Sequence, residues 1–364
     1  MEKLAKKHPK IDVLRDRVAL SKATRRLSTE LAVEPDGVGR VHFAYSLHRT
    51  NTGRLASGSD DVDADKIRVS PGNAQNKSDR DRMMYTAPPG YVFVQADYSQ
   101  IESRVCAWHA NDMALLDAWE KGADVYAEIA AKLYRVPVEE TRNKYIWFMG
   151  DHRSLRDAGK RAHLALCYYM QPPRMADLFD IPLHEAVRLS DQWKASRVAI
   201  CRWQQAQIEA ASSSFEGVIN SFGRRFWFPK KRTDEGWVVA DPAAAVAAKP
   251  QSDVGDMCKV VLPLVNAIEG GELVTTTHDS FALYVKDEPT LVARVAHELK
   301  GVLERAWPEF GFRNINGKPG RFRCPVEIAV GKNWAKHHEH NPKCEVPCKK
   351  VENPQGLKEY KCAH

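Results

Sequence analysis

A β-type run, Tyr91-Val-Phe-Val-Gln-Ala-Asp97, passes directly into a helical stretch from Gln100 to Trp108. The other strong β-type runs lie far downstream, at Leu273 to Thr277 and Ser280 to Val285, joined at His278-Asp279. Between them, from Asp112 to Ala211, helical patterns dominate, with breaks near Met149-Gly150-Asp151 and at Pro172-Pro173. The order β, helical insertion, β predicts an α+β design carrying an inserted all-helical subdomain. The joint at His278-Asp279 has the length of a hairpin turn, although His-Asp is not a favoured turn pair. Ile11 to Leu31 is an amphipathic helix, Ser57 to Ser78 a polar loop, and Gly217 to Trp237 a hairpin or loop. Pro242 to Ile268 is helical with Pro250 and Pro263 as interruptions, Leu291 to Ala306 is a helix, and Val326 to Val330 is a last strand.

Of the 364 residues, 43% are hydrophobic and 28% charged. That is enough apolar material for a real core, enough length for two or three domain-sized units, and too much of both for a disordered polymer. Lys and Arg number 54 against 47 Asp and Glu, a formal charge of +7, a modest excess compatible with a polyanionic partner. No apolar run approaches the roughly 20 residues that cross a bilayer, and the lysine-rich start lacks the apolar stretch of a signal peptide. The expectation is a soluble intracellular protein. Cys106, Cys167, Cys201, Cys258 and Cys324 are scattered, as reduced thiols are, rather than set in a disulfide framework.

Three segments carry chemistry. Asp97 ends a β-run and Glu102 follows on the first helix turn, presented to the same side; a carboxylate there can hold a divalent cation in a cleft, or cap the helix. Arg156, Lys160, Leu164 and Tyr168 recur every four residues, a slanting stripe that begins cationic and ends aromatic. Two cations near a helix N-terminus suit a polyphosphate, and a solvated basic turn followed by core-facing Leu and Tyr fits the same spacing. Asp279, at the joint, can serve the turn alone or meet Asp97 from an adjacent strand, where two carboxylates repel unless a cation lies between them.

Taken together and in this order, the segments resemble the polymerase region of family A DNA polymerases, the bacterial DNA polymerase I and phage replicase group. Asp97-Tyr-Ser-Gln-Ile-Glu-Ser-Arg104 looks like that family's motif A, Arg156-x-x-x-Lys160 with Tyr168 like motif B, and Thr277-His-Asp279 like motif C. Flanking matches keep the order: Thr50 to Ser57, Gln75-Asn76, Asp124-Val-Tyr126, Gly223-Arg-Arg225, Gln251 with Asp256 and Lys259, and Gly331-Lys-Asn-Trp334. The resemblance covers about Ile11 to Lys336.

It implies a right-hand fold with an antiparallel palm sheet, inserted helical fingers and a truncated thumb. The expected division is a residual thumb helix over 1–40, palm over 41–109 and 237–335, fingers over 110–236, and a tail of unassigned role over 336–364. The implied activity is template-directed addition of dNTPs to a primer 3′-hydroxyl. Asp97, Asp279 and the backbone of Tyr98 would hold two Mg²⁺ ions, with Lys160 as a further catalytic group placed to protonate pyrophosphate. Arg156, Lys160, Leu164, Tyr168, Glu102, Gln100 and Tyr126 would meet the nucleotide, Glu102 rejecting the ribose 2′-hydroxyl. Arg54, Gln75, Asn76, Arg224, Gln251 and His278 would meet primer-template DNA, whose backbone affinity should be salt-sensitive. The implied location is the cytoplasm of a bacterial or phage-infected cell, away from membranes.

This sequence departs from the family pattern in places. Leu164 stands where Phe or Tyr is usual, Tyr126 where bacterial members have a phosphate-binding His, and Ser280 where Glu follows the catalytic Asp. The short stretch before Thr52-Gly-Arg54 leads to the expectation of a missing exonuclease and an incomplete thumb, supplied by a separate chain or dispensed with, and of low processivity. In the tail, Cys344, Cys348, Cys362 and His364 could bind Zn²⁺, though a solvated basic tail is the preferred reading. Two rival functions are a phage-type single-subunit RNA polymerase, opposed by Gln100 and Glu102, and a non-catalytic primer-template binding subunit, opposed by Asp97, Lys160 and Asp279 together.

Overall fold

The computed structural model describes residues 39–58, 69–70, 73–77, 79–148, 151–213, 217–234, 236–310, 312 and 322–335, with Leu20, Ser21, Thr24 and the backbone of 349–352 and 358–361. The helix expected over Ile11 to Leu31 lies outside these residues apart from Leu20, Ser21 and Thr24, which are helical.

The base is a six-stranded sheet of β1 (Tyr91–Tyr98), β2 (Gly271–Thr277), β3 (Ser280–Lys286), β4 (Val326–Gly331), β5 (Lys349–Glu352) and β6 (Lys358–Lys361), in the order β2-β3-β1-β4-β6-β5. β1 is central and antiparallel to both β3 and β4. Its period-2 pattern sorts its side chains. Val92, Val94, Ala96 and Tyr98 join the main core, while Phe93 packs with Ala74, Ala282 and Trp334 on the opposite face. Asp97 shares the parity of Phe93, so it projects away from the main core.

The longer helices among the described residues are α1 (Ile101–Ala110), α2 (Met113–Glu120), α3 (Val125–Tyr134), α4 (Leu155–Cys167), α5 (Pro172–Phe179), α6 (Leu183–Ser196), α7 (Val198–Ser212), α8 (Pro242–Asn266) and α9 (Pro289–Glu309). α9 and α8 cover one face of the sheet through Val295, Leu299, Leu303, Trp307, Met257 and Val261. A second core is built by α2 to α7, with Leu115, Val125, Ala162, Leu166, Trp193 and Ile200. Two helices serve both cores: α1 gives Val105 to the first and Cys106 to the second, and α8 gives Val254 and Val246. Each such buried aliphatic side chain stabilises by about 1.5–3 kcal/mol. The inserted block is thus fastened to the sheet by shared helices.

Several local expectations are corrected. The block from Asp112 to Ala211 is not all-helical, because Tyr145–Phe148 and Asp151–Ser154 pair as an antiparallel hairpin. Pro172 and Pro173 begin α5 rather than merely breaking a helix, since the first turn has no use for their missing N–H groups. Pro250 and Pro263 do not interrupt α8, which continues through both. Each forfeits one intrahelical bond and crowds the preceding turn, at a cost of about 3 kcal/mol, and burial of α8 in two cores outweighs that. Gly217 to Trp237 is a hairpin as expected, 218–219 with 225–226, and the segment also enters a second, 230–233 with 236–239. The tail cysteines and His364 lie outside the described residues, but the backbone at 358–361 extends the sheet, pairing parallel with β4 at Ala329 and Val330. Among the described residues, the five body cysteines are free thiols and no helix is long and apolar enough to cross a membrane.

Candidate active site

Asp97 and Asp279 come together at one end of the sheet. Asp97 pairs in register with Ser280, and the Tyr98 N–H donates to the Asp279 carbonyl at 3.4 Å. The two aspartates therefore occupy consecutive positions across neighbouring strands. Tyr98 fixes the end of β1 from below, its hydroxyl donating to the Leu303 carbonyl at 2.9 Å and its ring meeting Trp307 edge-on. His278 makes the turn with φ of +54°, a left-handed conformation that non-glycine residues adopt rarely. On the other side of Asp97, in register, stands Glu327, a carboxylate that sequence reading did not single out.

The donors here are hard: two carboxylates and nearby main-chain carbonyls. Two buried thiols lie close enough to feel the aspartates, but burial first, and Asp279 in addition, pushes Cys258 and Cys324 upward in pKa. Protonated thiols do not compete for a metal, and the set fits Mg²⁺ rather than a soft ion. Among the described residues, no cluster of three His, Cys, Asp or Glu side chains forms a complete cage. Mg²⁺ ordinarily uses one or two carboxylates and completes its shell with water and phosphate oxygens.

Glu102, on the first turn of α1, joins three parts of the chain. One oxygen is ion-paired with Arg54, and the other accepts from the Tyr168 hydroxyl at 2.8 Å. Burial first, and then Glu102, raises the Tyr168 pKa well above that of an ordinary phenol, so it remains a donor. Burial works against the Arg54 charge, but Glu102 more than restores it. Among the described residues, Arg54 Nε, Gln100 Oε1 and Thr277 Oγ1 are buried polar atoms with no hydrogen-bond partner.

The stripe on α4 is as the spacing predicts. Arg156, Leu164 and Tyr168 are partly exposed and Lys160 is exposed, while Ala158, Ala162, Leu166 and Cys167 face the core. Lys160 makes no ion pair among the described residues. The Arg156 Nε donates to Asp124 at 2.7 Å, and Asp124 caps α3 by accepting from the Ala127 N–H at 3.1 Å. Tyr126 departs from the expected nucleotide contact. It is 1% exposed, with its hydroxyl 2.9 Å from that of Ser103. Its side chain joins α3 to α1 and offers no surface to a ligand.

The DNA-facing expectations divide similarly. Asn76 is exposed, His278 is exposed, and Gln251 is partly exposed on α8. Gln75 is instead 5% exposed, with its amide bonded to the β2–β3 turn. Arg224 is held by a bidentate pair with Asp256, at 2.7 and 3.0 Å. Its guanidinium lies against Gly53, where a Cβ would approach within 2.9 Å of Nε. Sequence reading missed the support beneath it. Asp253, fully buried, accepts from the Ser221 N–H at 2.7 Å and pairs with His109 at 2.5 Å, and the His109 ring is stacked on Trp203. The i, i+3 spacing of Asp253 and Asp256 on one helix face was the available signal.

The family model described as "DNA polymerase family A" matches residues 1–336. Curated relatives include DNA polymerase I of Pseudomonas aeruginosa, 28% identical over 82% of this chain and 30% of the relative. Another is thermostable DNA polymerase I of Thermus aquaticus, 26% identical over 92% of this chain and 37% of the relative. The chain thus spans about a third of the length of these relatives. Among solved structures, the POL domain of Pol1 from M. smegmatis, in complex with DNA primer-template and dNTP, shares the fold. Its TM-score is 0.74 at 21% identity, covering 93% of this chain and 56% of that one. With the matched residues spanning β1 to β4, the inserted helices and both aspartates, the chain belongs to DNA polymerase family A.

Proposed function

We propose that this chain is the catalytic part of a template-directed DNA polymerase, which joins a dNTP to a primer 3′-hydroxyl and releases pyrophosphate. The observation that carries the reading is the meeting of Asp97 and Asp279 across neighbouring strands. Asp97, Asp279 and the main chain at Tyr98 would hold the two Mg²⁺ ions. Such a pair, when bound, polarises the attacking hydroxyl and neutralises charge on the leaving group in an in-line displacement. Lys160 and Arg156, one helix turn apart, grip the triphosphate, and Lys160 gives its proton to pyrophosphate. Leu164 and Tyr168 continue the stripe beneath base and sugar, with Gln100 beside them. Glu102, tied between Arg54 and Tyr168, crowds the 2′ position of the sugar. Arg54, Gln251 and His278 attend the primer end and minor groove, while Asn76 and Arg224 attend the template.

The test is extension of a primer on a template with a 5′ overhang, for wild type, Asp97→Asn and Asp279→Asn, with primer-template affinity measured in parallel. Extension by wild type alone, lost with EDTA, at equal affinity in all three, is expected. Equal failure of all three at equal affinity favours a binding subunit, and preference for rNTPs favours an RNA polymerase.

A further inference from the structure

We infer that Gln75 is a positioning residue for Asp279: its carboxamide fixes the main chain of the His278-Asp279 turn and thereby aims the aspartate, instead of meeting a nucleic-acid strand. The inference rests on the reading of Asp97 and Asp279 as the metal-holding pair.

Among the described residues, β2 is an edge strand of the sheet, so its outward main-chain groups have no neighbouring strand there to satisfy them. At the end that matters most, Gln75 takes the place of that strand. Its Nε2 donates to the Thr276 carbonyl at 3.1 Å, and its Oε1 accepts from the His278 N–H at 2.6 Å. A residue in a parallel ladder bonds in just this way to the carbonyl before and the N–H after its partner. The side-chain amide has the donor and acceptor of a peptide group and plays that residue opposite Thr277.

The strut is itself anchored. Gln75 lies in the short helical turn Ala74–Asn76, whose Gln75 N–H bonds Asn73 Oδ1 at 2.9 Å, while the Ala74 N–H bonds Ser57 Oγ at 3.1 Å. Ala74 is packed with Phe93, Ala282 and Trp334 on the sheet. Tyr45 adds a second support, its hydroxyl donating to the same Thr276 carbonyl at 3.0 Å and lying 2.5 Å from Thr275 Oγ1. A turn that holds His278 at φ +54° persists only where its surroundings fix it. With one N–H and one lone pair bonded to the turn and the residue only 5% exposed, Gln75 is held against the main chain rather than presented to a template strand.

The test replaces Gln75 by Met, which keeps the length and removes both bonds, and by Glu, which keeps the acceptor and sets an oxygen against the Thr276 carbonyl. For Gln75→Met, kcat for primer extension should fall about 10- to 100-fold, as for other residues that orient ligands of a metal. Primer-template Kd should stay within about twofold, and half-maximal activity should need more Mg²⁺. Amide hydrogen exchange at His278 should become at least about tenfold faster, a readout independent of turnover. Tyr45→Phe should cause a smaller loss of the same kind, non-additive with Gln75→Met because both act on one carbonyl, and it carries the test should Gln75→Met fail to fold. An unchanged kcat with weakened primer-template binding would overturn the inference and return Gln75 to the nucleic acid. If wild type extends no primer, the polymerase reading fails, while exchange at His278 still decides the strut.

Discussion

The Tyr168 hydroxyl donates to Glu102 at 2.8 Å across a sequence separation of 66 residues, closing the end of α4 onto the start of α1. Arg54 holds the other carboxylate oxygen, so the position of Glu102 is fixed from two sides. On the proposed reaction, a fixed carboxylate excludes a 2′-hydroxyl and a shortened side chain does not. Glu102→Ala should therefore lower the preference for dNTP over rNTP by about 10- to 200-fold, the range open to a steric and polar contact of this size. Tyr168→Phe, which leaves Arg54 in place, should lower it less. Single-nucleotide incorporation on one primed template measures both, and an unaltered preference in Glu102→Ala would remove Glu102 from sugar selection.

Asp256 gathers Arg224, Lys259 and Asn220 around one carboxylate. Burial alone would raise its pKa, but Arg224, Lys259 and Asn220 together bring it below the ordinary carboxylate value. A group depressed on folding gives stability that is complete above its unfolded pKa, about 4, and disappears as pH falls through the folded value. Asp256→Asn should accordingly lower unfolding free energy by about 1–3 kcal/mol at pH 7, a modest figure because Arg224 is partly solvated. The gap between variant and wild type should narrow below about pH 4. Urea denaturation across that range is the measurement, and a gap that stays constant down to pH 3 contradicts it.

Gly159 lies where α4 crosses α3, and a Cβ there would stand 2.3 Å from the Tyr126 carbonyl oxygen and 2.9 Å from the Ala130 nitrogen. Two effects oppose each other in Gly159→Ala. Helix propensity favours Ala by about 1 kcal/mol. The clash is with backbone, which no rotamer change relieves, and overpacking of this kind costs about 1–3 kcal/mol or more. The clash should win, giving a net destabilisation in equilibrium unfolding. A more stable Gly159→Ala protein would show that the two helices can separate at little cost.

The parts that could be read from the sequence are its short apolar β-type runs and its helical spacing. The runs at 91–97 and 280–285 located the strand end that carries Asp97 and the turn that carries Asp279, and four-residue spacing located the α4 stripe. Tyr126 was also legible, since Tyr126, Ala130 and Leu133 share one buried helix face. The Tyr145–Phe148 strand was not, because four apolar residues cannot be told from a helix turn by periodicity. Nor was the burial of Gln75. Its partners are main-chain atoms of Thr276 and His278, and a main-chain partner leaves no mark in the residue type. Pro250 and Pro263 misled for a different reason: local propensity argues for a break, and tertiary packing of α8 overrides it.

Lys160 and Arg156 lie one turn apart on α4, yet their removal should have different consequences. Lys160 is exposed and has no ion pair among the described residues, so Lys160→Ala should change stability by less than about 0.5 kcal/mol. Its loss is felt in the proposed transition state, with kcat/KM for dNTP falling about 100-fold or more. Arg156 also donates to Asp124. Burial acts to raise the Asp124 pKa, but Arg156 and the bond from Ala127 bring it below its ordinary value. Arg156→Ala therefore removes a proposed phosphate ligand and also weakens the cap of α3, and should lower stability by about 1 kcal/mol besides reducing kcat/KM. Parallel denaturation and steady-state kinetics separate the two effects. Equal stability losses in both variants would mean that the Arg156–Asp124 pair does not support the helix cap.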